Sequence, residues 1–329
     1  MKNTNVRIIA DAAMGAALCT LLYVISLYVP LISPFAAFIC SAPLMYLACK
    51  RGTIAAISAL VVSTAALFII TGNMLTSLLF ACAYALPGMV FGIMAAHNKR
   101  FYLTVAATAF SVLVGTMLEL IVMNGSGDGI RNMLAQVTSG MENTLNQVLS
   151  ASDLPEGLDI TRVVPQMLTS VIDMFMLFLP ALVIISSVIF AYAISVFGIF
   201  LLKRLRVKKI SYVKFSMMKA PRSLCYAVTI LFLVCRLSDD GGIISAALQN
   251  MLIILGGALS VCGFSFIDWV LGKKITSGYI RAIIYCSVII VGFFLSPLII
   301  NTLMFLGFLD GFWQFRLIGN TGDDKLENK

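Results

Sequence analysis

The sequence predicts an all-α fold, a polytopic transmembrane helical bundle, and three observations carry that expectation. The chain of 329 residues is 60% hydrophobic and only 12% charged. Its mean hydropathy is +1.00, whereas a soluble domain keeps about a quarter of its residues charged to cover its surface. The apolar residues fall in long runs without alternation, so they read as helices rather than as barrel strands. In hydrocarbon every backbone N–H and C=O must be satisfied inside the segment, and a helix does this alone.

Nine spans account for the runs: 8–29, 35–49, 53–71, 75–96, 101–123, 171–202, 223–237, 243–271 and 279–307. The first is about 20 residues, longer than the h-region of a signal peptide, and reads as a true span. The second contains Pro43 and is expected to tilt or break there; Pro297 places a kink in the ninth. The polar segments divide the chain. Residues 124–169 form an extracytoplasmic insert between the fifth and sixth spans, 203–222 a basic cytoplasmic loop, and 310–329 a polar C-terminal tail expected to be disordered.

Lys and Arg in alternate loops give the orientation. With the N-terminus in the cytoplasm, 17 basic residues, Lys203 to Arg222 prominent among them, lie inside. Only Arg131, Arg162, Arg236, Arg316, Lys325 and Lys329 lie outside. The net charge of +8 is therefore positive-inside bias rather than a nucleic-acid footprint. This topology suits a bacterial plasma membrane, with the C-terminus outside and the basic loop against anionic lipid.

Within the insert, Ile130, Met133, Leu134, Val137, Met141, Leu145, Val148 and Leu149 recur at helical spacing. Such a helix rests on the bundle or the membrane surface, or else forms a lid over an outward cavity. Asp153 to Gly157 reads as the turn that follows.

Chemistry needs convergent polar groups, and the sequence offers few. His97 is the lone histidine, at an inner helix end. The eight cysteines lie in or beside apolar runs with no Cys-x-x-Cys pair, so no metal site is expected and they read as small hydrophobes. No His-Glu-x-x-His, Gly-x-Ser-x-Gly or Walker lysine occurs. Neither an enzyme nor a cofactor is expected, and no residue is assigned as catalytic.

Ionisable residues in spans are Asp11, Glu119, Asp173, Arg236 and Asp268. They read either as interfacial charges with local partners or, for Glu119, Asp173 and Arg236, as the polar lining of an outer vestibule. Small residues make a clearer pattern. Ala12, Ala13, Ala16 and Ala17 crowd the first span beside Asp11, and Ala55/Ala59 and Gly88/Gly92 repeat the four-residue spacing. Such stripes let helices approach closely; Gly88 and Gly92 read as internal packing, and the alanines as a docking face for a partner helix.

The stretches RIIADAAMGAALCTLLYVISLYVPL, SAPLMYLACKRG, YALPGMVFGIMAAHNKR and VKFSMMKAPRSLCYAV resemble the YybS-like family of bacterial integral membrane proteins, a domain-of-unknown-function family. The resemblance covers most of the chain and implies architecture more than activity. The first six spans are also similar to the S component of energy-coupling factor transporters. In that family an Ala-x-x-x-Ala motif on the first helix docks a transmembrane coupling subunit driven by an ATPase pair. Ala13 and Ala17, or Ala12 and Ala16, match that motif. S components end at the sixth helix, whereas this chain continues for three spans and carries the large insert. The resemblance implies a small-molecule transporter component, for a vitamin or metabolite, whose partners are the bilayer, the coupling subunit with its ATPase pair, and an unknown ligand. The alternative is a non-transporting scaffold or regulator of cell-envelope machinery.

Overall fold

The computed structural model describes residues 2–29, 35–125, 160–207, 215–238, 242–275, 296–313 and 315–316, with single positions at 129, 132, 136, 139 and 140. In chain order the helices are α1 (Lys2–Tyr28), α2 (Ala36–Arg51), α3 (Thr53–Thr71), α4 (Met74–Ala96), α5 (Phe101–Gly125), α6 (Ile160–Arg204), α7 (Arg222–Leu237), α8 (Ile243–Lys274) and α9 (Ser296–Trp313). No strand occurs among the described residues. Six of these helices, α1, α3, α4, α5, α6 and α8, are long and apolar enough to cross a membrane.

Contacts divide the chain into two units. Unit 1 is Met1–Met176 with Val183–Tyr212; unit 2 is Leu177–Leu182 with Val213–Lys329.

In unit 1, Ala12, Ala16, Cys19 and Tyr23 of α1 repeat every three or four residues and share one buried face. They pack on Cys40, Leu44, Leu47 and Ala48 of α2 and on Ala56, Ala59 and Leu67 of α3. A second core joins Met45 of α2, Phe91 and Ala95 of α4, Val112 of α5, and Ala191, Ile194 and Leu202 of α6. Backbone approach is close where glycine removes a side chain. A Cβ on Gly92 would lie 2.6 Å from the Met45 carbonyl, and one on Gly115 2.7 Å from Ala83 Cα. Most buried hydroxyls are satisfied within their own helices: Thr20, Thr108, Ser187 and Ser195 each donate to the carbonyl four residues back, while the buried Ser111 hydroxyl has no partner among the described residues.

α4 is not uniform. Asn73 caps it by accepting from the amides of Leu75 and Thr76, and Phe80–Ala85 then winds as a π-helix before the α-helix resumes. A π-turn widens the helix and turns its side chains out of α register.

In unit 2, Gly263 of α8 and Gly307 of α9 meet backbone to backbone; a Cβ on either would strike a carbonyl of the other helix. Ser260 faces Ile300, Gly263 faces Leu303 and Gly307, and Ser265 meets Arg316. Contacts therefore advance together along both helices, and α8 and α9 run in the same direction. On α7 the order reverses, with Ala220 against Gly311 and Cys225 against Phe308.

Three expectations change. The helix that carries the sixth span outruns it: the apolar span is Ser170–Arg204, close to the expected 171–202, but α6 begins at Ile160 and runs 45 residues, about 67 Å. The insert expected over 124–169 thus yields both ends to α5 and α6. Most of its middle, including the amphipathic repeat and the Asp153 to Gly157 turn, lies outside the described residues. The tail also begins later, because α9 continues to Trp313 and Asp310 and Arg316 are both 3% exposed. Finally, Arg316 Nη1 donates to the Ser216 carbonyl at 2.5 Å. Arg316 and the basic loop, expected on opposite sides of the membrane, lie at one end of unit 2. A hydrogen bond cannot join groups a bilayer apart, so the two placements exclude each other.

Candidate functional site

The alanine stripe of α1 divides in two. Ala12 and Ala16 are 8% and 2% exposed and belong to the core of unit 1. Ala13 and Ala17 are exposed. With Thr20 and Leu21, and with Val62 and Ala66 of α3, they line a groove of about 470 Å³. Residues four apart share a helix face, but α1 has room for two such pairs, and the core uses only one.

Near the start of the same helix, Asp11 forms an ion pair with Arg51 at 2.5 Å, the two side chains 25% and 26% exposed. Lys50 donates to the Tyr46 hydroxyl. Asp11, Tyr46, Pro43 and Leu201 border a mainly apolar cavity of about 400 Å³.

Toward the other end of α1, polar and aromatic groups converge from three helices. The Tyr23 ring lies 4.7 Å from Phe80 and 5.5 Å from Tyr84, centroid to centroid. Both partners belong to the π-turn of α4, four residues apart and so on one side of the helix. Gly115 of α5 packs on Cys82 and Ala83. The two helices are antiparallel neighbours joined at Ala96–Phe101, so Glu119, one turn beyond Gly115, falls at the level of Phe80. It lies within electrostatic reach of Tyr84 and Tyr23. Glu119 is half-buried, and Tyr23 is 6% exposed.

The remaining residues do not join this cluster. Asp173 is exposed on α6. Arg236 belongs to unit 2, where its guanidinium sits 5.4 Å from the ring centre of Phe232. Gly88 and Gly92 face Ser41, Met45 and Ala48 of α2. Among the described residues no three His, Cys, Asp or Glu side chains converge as metal ligands.

Two arrangements had no sequence signal. Asn250 of α8 donates to the Leu177 carbonyl at 2.8 Å and accepts from the Ala181 amide at 3.1 Å. It therefore holds both members of one i, i+4 backbone pair, beside Pro180. At the end of unit 2, Asp310 pairs with Arg316 Nε at 2.9 Å. Arg316 also donates to Ser265 Oγ at 3.3 Å, and Ser265 donates to the carbonyls of Phe215 and Met218. The chain's two tryptophans, Trp269 and Trp313, lie in the aromatic layer around this network, through Phe266 and Phe315.

The surface outside the cores is itself apolar. Ile54, Ile69, Phe110 and Ile121 are each more than 65% exposed, on helices long enough to span hydrocarbon. Large side chains of this kind are excluded from a water-facing surface in such density and suit lipid. The fold is that of a multi-pass helical membrane protein. The chain belongs to the family described as "Predicted membrane protein (DUF2232)", whose model matches residues 17–311. No curated protein and no solved structure matches it.

Proposed function

We propose that this protein is a small-molecule transport component of a bacterial plasma membrane, working as the S component of an energy-coupling factor transporter does. The observation that carries the reading is the division of the α1 stripe. Ala12 and Ala16 complete the core, which leaves Ala13 and Ala17 as the floor of an open groove. A groove floored by alanine admits a helix at short range, and close packing drives helix association in lipid. The occupant in this reading is a helix of a transmembrane coupling subunit, itself driven by an ATPase pair. Ligand enters at the end carrying Glu119, and no residue of the chain is catalytic.

The orientation of this reading puts the N-terminus and the basic loop Lys203 to Arg222 in the cytoplasm. Arg316 joins them there through its bond to Ser216, which strengthens the positive-inside bias.

A second reading, a scaffold for envelope machinery, draws on the same loop. Phe215 to Met218 is pinned by Ser265 and Arg316, so this basic end has a fixed shape for a partner to meet. Gentle purification of the whole protein separates the two. On the transport reading it recovers a coupling subunit and ATPases, and Ala13→Leu with Ala17→Leu releases them while leaving the fold intact. Recovery of envelope-assembly proteins alone, unaffected by those substitutions, would overturn the transport reading.

A further inference from the structure

We infer that the cluster of Tyr23, Phe80, Tyr84 and Glu119 in unit 1 is a binding site for an organic ammonium group. The assignment deepens the transport reading and rests on it for the claim that the bound cation is a substrate. The binding itself follows from the chemistry at the site.

A carboxylate in the apolar part of a membrane helix is costly unless a positive group or a hydrogen-bond donor answers it. The basic side chains described in unit 1 are occupied or lie elsewhere: Arg7 precedes Asp11 on α1, and Lys203, Arg204 and Arg206 stand beside Leu201 and Leu205, which border the Asp11 cavity. Arg51 is committed to Asp11 and Lys50 to Tyr46. Lys99 and Arg100 precede α5, so they stand about 28 Å down that helix from Glu119. Asp11 and its partner are about 18 Å from Tyr23 along α1. Among the described residues, none is shown hydrogen-bonded to the Glu119 carboxylate or to the hydroxyls of Tyr23 and Tyr84.

The surroundings specify which cation. The Tyr23 ring lies within 5.5 Å of both Phe80 and Tyr84, and an ammonium over an aromatic face is held by the ring quadrupole, most strongly where water is excluded. Tyr23 and Phe80 are 6% and 0% exposed and form a dry backing, so the ring open to a ligand is that of the half-buried Tyr84, beside the half-buried Glu119. A small metal ion needs several oxygen ligands, and here there is one carboxylate. An alkylammonium needs one counter-charge and an apolar, aromatic wall. Phe80 and Tyr84, four apart on α4, both meet Tyr23 from one side of that helix.

The test uses the full-length protein in detergent, with 2-phenylethylammonium as probe and 2-phenylethanol as its neutral counterpart. Binding is followed by saturation-transfer NMR on the small molecule. The ammonium is expected to bind saturably and the alcohol about tenfold or more weaker. Glu119→Gln is expected to weaken the ammonium about tenfold or more and to leave the alcohol unchanged. Tyr84→Phe keeps the ring and retains binding; Tyr84→Ala loses it. Equal binding of ammonium and alcohol, undiminished binding by Glu119→Gln, or no saturable ammonium binding to the unsubstituted protein each overturns the inference. If Glu119→Gln fails to fold, the ammonium and alcohol pair together with Tyr84→Ala decides. No partner subunit enters this measurement, so its failure is distinct from a failure to recover the coupling subunit.

Discussion

The two units solve the same problem by different means. Unit 1 is held by shape: small residues bring α2 and α4 into close backbone contact and let α1 pack on both α2 and α3, and most of its buried hydroxyls turn back onto their own helices. Its ion pair, Asp11–Arg51, stays about a quarter exposed. Unit 2 adds charge to shape. α8 and α9 cross at Gly263 and Gly307, but the end of the unit closes on an ion pair whose members are 2% and 3% exposed. α7 has 16 residues and α9 has 18, short beside the 27 of α1 and the 25 of α5, though no shorter than α2 with 16. In lipid there is little hydrophobic drive between helices, and a short bundle depends more on polar contacts. The same kind of residue pair is peripheral in one unit and central in the other.

The sharpest way to break this contrast is Arg316→Ala. It leaves Asp310 buried without its partner and should cost unit 2 about 3 to 5 kcal/mol. Cys262, whose carbonyl Arg316 contacts, should then react faster with maleimide while Cys19 in unit 1 does not change. Next is Gly307→Ala, which forces a methyl into the Leu259 carbonyl and should cost about 1 to 3 kcal/mol in thermal unfolding. Gly92→Ala tests the matching seam of unit 1 and should fall in the same range. Asn250→Ala removes two bonds to the α6 backbone and should cost about 1 kcal/mol. Asp11→Asn should cost least, about 0.2 to 1 kcal/mol, because its pair is partly hydrated. If Asp11→Asn proves as damaging as Arg316→Ala, the contrast between the units fails.

Most of the helices were legible because a span is a length signal, and the runs behind α1, α3, α4, α5, α6 and α8 carry it in full. The ninth did not. The run 279–307 is continuous in hydropathy, so apolar content alone cannot show where one helix begins inside it; α9 starts at Ser296, next to Pro297. The start of α6 was hidden for the opposite reason, since Ile160 to Ser170 mixes Thr, Arg, Pro and Gln with apolar residues and reads as loop. At the site, Glu119 stood out because charge in a span is rare. Tyr23 and Tyr84 carried no such mark, and their meeting depends on how α1 and α4 pack, which no local pattern shows. The stripe on α1 was visible, but which pair of alanines faced outward depended on where α2 and α3 pack. Arg316 and Ser216 are 100 residues apart. The charge count placed Arg316 across the membrane from the basic loop, and no local pattern in either segment shows that they meet.

Asn250 also imposes an order on synthesis. The Leu177 carbonyl and Ala181 amide that it holds leave the ribosome 69 residues before Asn250 follows the latter. At about 5 to 20 residues per second that is a delay of roughly 3 to 14 s. Through that interval α6 is in the membrane beside Pro180 without its amide clamp, and any chaperone or insertase that shields a newly made helix has a defined window in which to act.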